Sequence, residues 1–192
     1  MKNIGYFLVV LIGIFTFVAI QNCGKDKCEG IVCLHGGTCV DGTCNCKQGY
    51  TGDLCQAEIK PKAVKITKFK VLGWPGNNGG NPWDNNDGPD IYVKIMQGTT
   101  EVYKHHKSEY NVPEDKVFEL VPLAAYIPSL DPDKQYVIQI WDYDEDEGKN
   151  DQKMQETTAF KPYTSGEQFP ATKIVKSFLW DLQIELTLQY EW

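Results

Sequence analysis

Two hydrophobic patterns organise the chain. Ile4 to Ile20 is an unbroken apolar run (IGYFLVVLIGIFTFVAI) without a charge. It is shorter than the roughly 20 residues that span a bilayer, and it fits the apolar core of a secretory signal. Beyond Pro61 the period becomes two: Leu182, Ile184, Leu186 and Leu188 alternate with Gln183, Glu185, Thr187 and Gln189. Such alternation predicts strands buried on one face. Strand character recurs at Val64 to Leu72, Ile91 to Met96, Glu101 to His105, Val117 to Val121, Tyr136 to Tyr143 and Leu182 to Tyr190. No long stretch carries helical periodicity. Short strands separated by Gly, Pro and Asp turns predict an all-β chain whose residues 61–192 form an antiparallel two-layer β-sandwich.

Cysteine usage separates a second unit. All seven cysteines of the 192 residues lie between Cys23 and Cys55. Six of them read Cys28-x4-Cys33-x5-Cys39-x4-Cys44-x-Cys46-x8-Cys55. A segment this short has no core of its own, so crosslinks must stabilise it; six cysteines allow fifteen pairings, among which spacing does not choose. A zinc site would need paired C-x2-C knuckles, and there are none. The stretch CNCKQGYTGDLC carries C-x-C-x5-G-x2-C at Cys44, Cys46, Gly52 and Cys55, with Gly49-Tyr50 inside it and a His35-Gly36-Gly37-Thr38-Cys39 turn before it. In these features residues 28–55 resemble an EGF-like domain. The resemblance implies the pairings Cys28–Cys39, Cys33–Cys44 and Cys46–Cys55, two small hairpins and a spacer or docking role. Calcium-binding members of that family carry an acidic element before the first cysteine, where this chain has Lys25-Asp26-Lys27, so no calcium site is expected in the module. Residues 56–60 are expected to be a short linker.

The seventh cysteine follows the apolar run directly. Gln21-Asn22-Cys23 and the polar Gly24-Lys25-Asp26 resemble a bacterial lipoprotein signal, with Asn22 where such signals carry a small residue. The resemblance implies a signal peptide at 1–22, lipidation of Cys23 and a lipid-anchored segment at 23–27. The alternatives are an uncleaved anchor or cleavage near Ala19. All three place the rest of the chain outside the cytoplasm, where disulfides persist.

Charge then locates the candidate chemistry. The formal charge is −7, from 26 acids and 19 bases, every base a lysine. An acidic chain without arginine offers no footprint for a phosphate backbone, so nucleic acid is not an expected partner. The loops GWPGNNGGNPWDNNDGPD and DYDEDEGKND hold Asp84, Asp87, Asp90, Asp142, Asp144, Glu145, Asp146, Glu147 and Asp151 against Lys149 alone. Setting these ten aside leaves 17 acids and 18 lysines. Like charges at ~4 Å repel by up to ~4 kcal/mol at an effective dielectric near 20, and a hard cation with oxygen ligands reverses that sign. The bland alternative is a pair of solvated acidic turns.

Asp84-x5-Asp90 followed by Tyr92-Val93-Lys94, and Trp141-Asp142-Tyr143-Asp144 at the end of an apolar strand, resemble the C2 domain. Ile91 stands where that family has proline, and Asp151 lies seven residues after Asp144 where six is usual. The resemblance implies a C2-like sandwich binding two or three calcium ions (Ca2+) through Asp84, Asp90, Asp142, Asp144 and Asp151. The strand at the C-terminus points to the circularly permuted arrangement of that fold. Trp74 and Trp83 flank the first loop and are candidates for membrane contact, or else cover the end of the sandwich. His105 and His106, expected on opposite faces of a strand, would not share a metal. No serine or cysteine nucleophile set is present, so an enzyme is not expected. The expected function is that of an extracytoplasmic, lipid-anchored protein binding a membrane, glycan or protein partner in the presence of calcium. A structural or adhesive module without metal is the alternative, and a secreted hydrolase using the same acids the third.

Overall fold

The computed structural model describes residues 26–84, 88–144, 148–179 and 181–192. The signal segment, Cys23, Asp87 and Glu145 to Glu147 lie outside the described residues.

Disulfides join Cys28 to Cys39, Cys33 to Cys44 and Cys46 to Cys55. They close loops of 11, 11 and 9 residues, each contributing about 3 kcal/mol by restricting the unfolded chain. Two hairpins run through this frame. Strand β1 (Thr38–Val40) pairs with β2 (Thr43–Asn45), and β3 (Tyr50–Thr51) pairs with β4 (Ala57–Glu58). The expected linker 56–60 is therefore partly strand: Ile59 N–H also donates to Gly49 O at 2.8 Å.

Two antiparallel sheets follow. The first orders β11 (Gln152–Glu156), β10 (Val137–Asp142), β6 (Ile91–Gln97) and β7 (Thr100–Lys104). The second orders β12 (Thr172–Lys176), β13 (Gln183–Glu191), β5 (Ala63–Gly73) and β8 (Phe118–Leu120), with β9 (Ser129–Leu130) also on β5. Ile66 and Phe69 of β5, Val93 and Ile95 of β6, Ile138 and Ile140 of β10 and Leu186 of β13 are fully buried in one core. Both sheets thus bury one face against a shared interior, as period two requires. The only helical element among the described residues is a 3-10 turn at Ala124–Tyr126.

Both acidic loops lie at one pole of the sandwich. The end of β5 at Gly73 pairs with the start of β13 at Gln183, while the start of β6 at Ile91 pairs with the end of β10 at Asp142. The loops 74–90 and 143–151 therefore meet there. The disulfide module sits at the other pole, where Ala63 pairs with Glu191. Phe169 makes edge contacts with Tyr50, Tyr190 and Trp192 and stacks on Tyr163. Glu58 accepts hydrogen bonds from Tyr163 and Ser165 hydroxyls and the Gly166 N–H, and the Gly166 donor first among these holds its carboxyl below the ordinary value. Gly49, at φ +94°, has no room for a side chain: a Cβ would lie 2.6 Å from the Trp192 ring.

Candidate metal centre

β10 alternates outward and inward, and its inward row reads Ile138, Ile140, Asp142. The alternation that builds the core thus delivers a carboxylate to the core face at its last step. Asp144, two residues further on, stays on that side, and loop 74–90 brings Asp84. Asp142 and Asp144 are fully buried and Asp84 is 7% exposed. One ligand oxygen from each of the three lies within 4.8 Å of the others. At that separation each ionised pair repels by roughly 3 kcal/mol at an effective dielectric near 20.

The neighbouring donors leave a defined gap. Asp142 Oδ1 accepts the Asp90 N–H at 2.9 Å, and Asp144 Oδ2 accepts the Gln152 side-chain amide at 3.2 Å. Asp142 Oδ2 and Asp144 Oδ1 are buried with no hydrogen-bond partner. A buried, unpaired carboxylate oxygen is costly, so an acid either stays protonated or takes a cation. Burial, followed by the charges of Asp84, Asp144 and Asp90, pushes the Asp142 carboxyl up to about 7. Three carboxylates with no nitrogen or sulfur donor are a hard-cation set, suited to calcium or magnesium. The residues present fit such an ion, which would satisfy both orphan oxygens and reverse the repulsion.

The structure gives the other two aspartates different partners. Asp90 ties the loops together: its Oδ1 accepts the Asn111 N–H at 2.7 Å and its carbonyl accepts the Tyr143 N–H at 2.9 Å. Beside it Gly88 passes so close to the strap at 111–112 that a Cβ would lie 2.3 Å from Val112 O. Asp151 Oδ2 accepts the Tyr92 hydroxyl at 2.7 Å and lies 3.6 Å from Lys104 Nζ, while its Oδ1 accepts the Asp144 N–H at 3.3 Å. Among the described residues, three of the five expected ligands share one hub.

Of the two expectations for the tryptophans, the structure shows the covering one. Trp74 is buried in the core, and Trp83 packs against that core with its Nε1 donating to Pro75 O at 2.8 Å. They cover the sandwich end and are not poised for membrane contact, because indole area gains more from the apolar interior than from exposure. The histidines depart from expectation. β7 ends at Lys104, and the rings of His105 and His106 lie 4.6 Å apart, because the bend after the strand ends the alternation of faces. His105 is buried, its Nδ1 within 2.6 Å of Lys107 O. Two groups at this pole escaped sequence reasoning. One is Gln152, whose amide orients Asp144. The other is the turn between β12 and β13, where Phe178 and Leu179 are 84% and 76% exposed; the apolar pair at a turn was the signal for it.

Fold and site together define an antiparallel β-sandwich with a buried carboxylate cluster at one pole and a disulfide module at the other. No family model matches the chain. Among solved structures it is similar to a C2 domain at 12% identity, covering 68% of this chain and 98% of that one with a TM-score of 0.38. A C2 domain protein from Ramazzottius varieornatus matches at 13% identity over 68% of this chain and 90% of that one, with a TM-score of 0.39. A C2 domain of plant Extended Synaptotagmin 1 matches at 17% identity over 69% of this chain and 97% of that one, with a TM-score of 0.36.

Proposed function

We propose that this is an extracytoplasmic binding protein, lipid-anchored through Cys23, that takes up calcium at Asp84, Asp142 and Asp144 and then engages a membrane, glycan or protein partner. The observation that carries the metal is the pair of orphan oxygens, Asp142 Oδ2 and Asp144 Oδ1, inside a cluster of three buried acids. Calcium is favoured over magnesium because a buried set of three carboxylates suits an ion with an adaptable oxygen shell better than one that demands rigid octahedral geometry and keeps its waters. The three disulfides support an oxidising compartment and an EGF-like reading of residues 28–55. A membrane is the favoured partner. Phe178 and Leu179 stand exposed at the same pole as the aspartates, and bound calcium would make that pole attractive to anionic headgroups.

Thermal melting of the full chain in detergent, with and without millimolar calcium, tests the metal. An ion that binds only the native state stabilises it, by about 2.7 kcal/mol at a hundredfold excess over Kd, so the melting temperature should rise and chelator should reverse it. Asp142→Asn with Asp144→Asn should melt higher than wild type without calcium and show no calcium response. No shift in wild type sinks the metal and favours the metal-free adhesive module.

A further inference from the structure

We propose that Lys104 is a built-in counter-ion that holds Asp151 apart from the metal cluster and limits this pole to one divalent cation. The inference rests on the metal reading above and concerns how many ions that site takes.

Asp151 ends the acidic loop and enters β11 beside the cluster, with its side chain 13% exposed. Both of its oxygens are engaged. Oδ1 accepts the Asp144 backbone N–H, and Oδ2 accepts the Tyr92 hydroxyl and faces the Lys104 ammonium at 3.6 Å. Lys104 is itself placed from two sides. It closes β7 directly opposite Lys94 of β6, and its ammonium lies 4.7 Å from the centre of the Tyr92 ring. A cation above a tyrosine face is attracted by the ring as well as by the acid.

Lys94, its partner in the ladder, does not share this task. Its ammonium lies over Trp141 at 4.2 Å and pairs with Glu101 at 3.1 Å. One lysine of the pair is thus directed to an acid on its own sheet and the other to the acid beside the cluster. Orphan oxygens are found on Asp142 and Asp144 and not on Asp151. A second divalent ion sharing Asp151 would have to displace the ammonium or sit against its like charge. The covalently attached cation therefore does for Asp151 what a second calcium would otherwise do.

Calorimetric titration of the full chain in a zwitterionic detergent with calcium chloride reads the stoichiometry directly. Wild type should bind one ion per chain. Lys104→Met, which keeps the aliphatic stem over Tyr92, should bind a second ion, and adding Asp151→Asn should return the count to one. Lys104→Gln gives the same comparison should the methionine variant fold poorly. Two or more ions in wild type, through Asp151 or through Asp87 and Glu145 to Glu147, would overturn the inference and leave the metal reading intact. A count of one in both Lys104 variants would also overturn it. No binding in wild type removes the metal reading itself and this inference with it.

Discussion

At the scale of single residues, Asp142 decides how the molecule behaves without metal. Its carboxyl is pushed up to about 7 from an ordinary 3.8, first by burial and then by Asp84, Asp144 and Asp90. Between those values the folded chain holds a proton that the unfolded chain has lost. Stability contributed by this group is therefore greatest in acid and falls as pH rises from about 4 to about 7. Denaturant melts of the calcium-free chain at pH 5 and pH 8 should show that loss, and Asp142→Asn should remove it. Parallel pH profiles for the two proteins would contradict the assignment. Calcium competes with the same proton, so its affinity should climb over the same interval. These acids were legible in the sequence through the Asp84-x5-Asp90 and Trp141-Asp142-Tyr143-Asp144 spacings, and the structure adds that Asp142 continues the inward row of β10. The engagement of Asp151 by Tyr92 and Lys104 was not, since it depends on which side chains a loop meets across the fold.

Elements follow the hydrophobic pattern where that pattern is regular. β6, β10 and β13 lie where alternation places them. β5 carries Val64 and Ile66 inward, then Phe69 and Val71, and the change of phase is absorbed by a bulge where β13 shifts register between Thr187 and Leu188. β11 and β12 were not foreseen. They are edge strands, QKMQE and TKIVK, of which only Val175 is buried, so no apolar row announces them. Between β12 and β13 the turn is built to stay closed: Asp181 accepts from the Ser177 hydroxyl, the Leu182 N–H and the Gln155 amide. Phe178 and Leu179 are thus displayed by a braced turn and not by a frayed end. A chain beginning at Gly24 should sediment with phosphatidylserine vesicles in calcium, and Phe178→Ser with Leu179→Ser should weaken this severalfold while keeping the calcium-induced rise in melting temperature. Undiminished sedimentation of the double variant would exclude the turn as the lipid contact.

For the whole molecule, the junction between module and sandwich matters as much as either part. Sequence pattern separated the two units through cysteine density, and Gly49-Tyr50 entered it only as part of the EGF-like pattern. It gave no hint that Phe169, in a segment without regular structure, would sit among Tyr50, Tyr163, Tyr190 and Trp192. Removing a fully buried aromatic typically costs about 3–5 kcal/mol, and the half-buried Phe169 should cost less than that. Calorimetry should show wild type unfolding in a single transition, and Phe169→Ala should separate it into two. A single transition in the variant would mean the parts are coupled by other means.

That junction also fixes a direction. β5 runs from the module to the carboxylate pole, and its 11 residues at ~3.3 Å each carry the chain about 35 Å. The disulfide frame from Cys28 to Cys55 and the carboxylate cluster lie at opposite poles of the sandwich, so a tether ahead of Cys28 would leave the proposed calcium site facing away from it. The molecule's grip would then close on whatever approaches from outside, making it a bridge between two surfaces and not a clamp on its own.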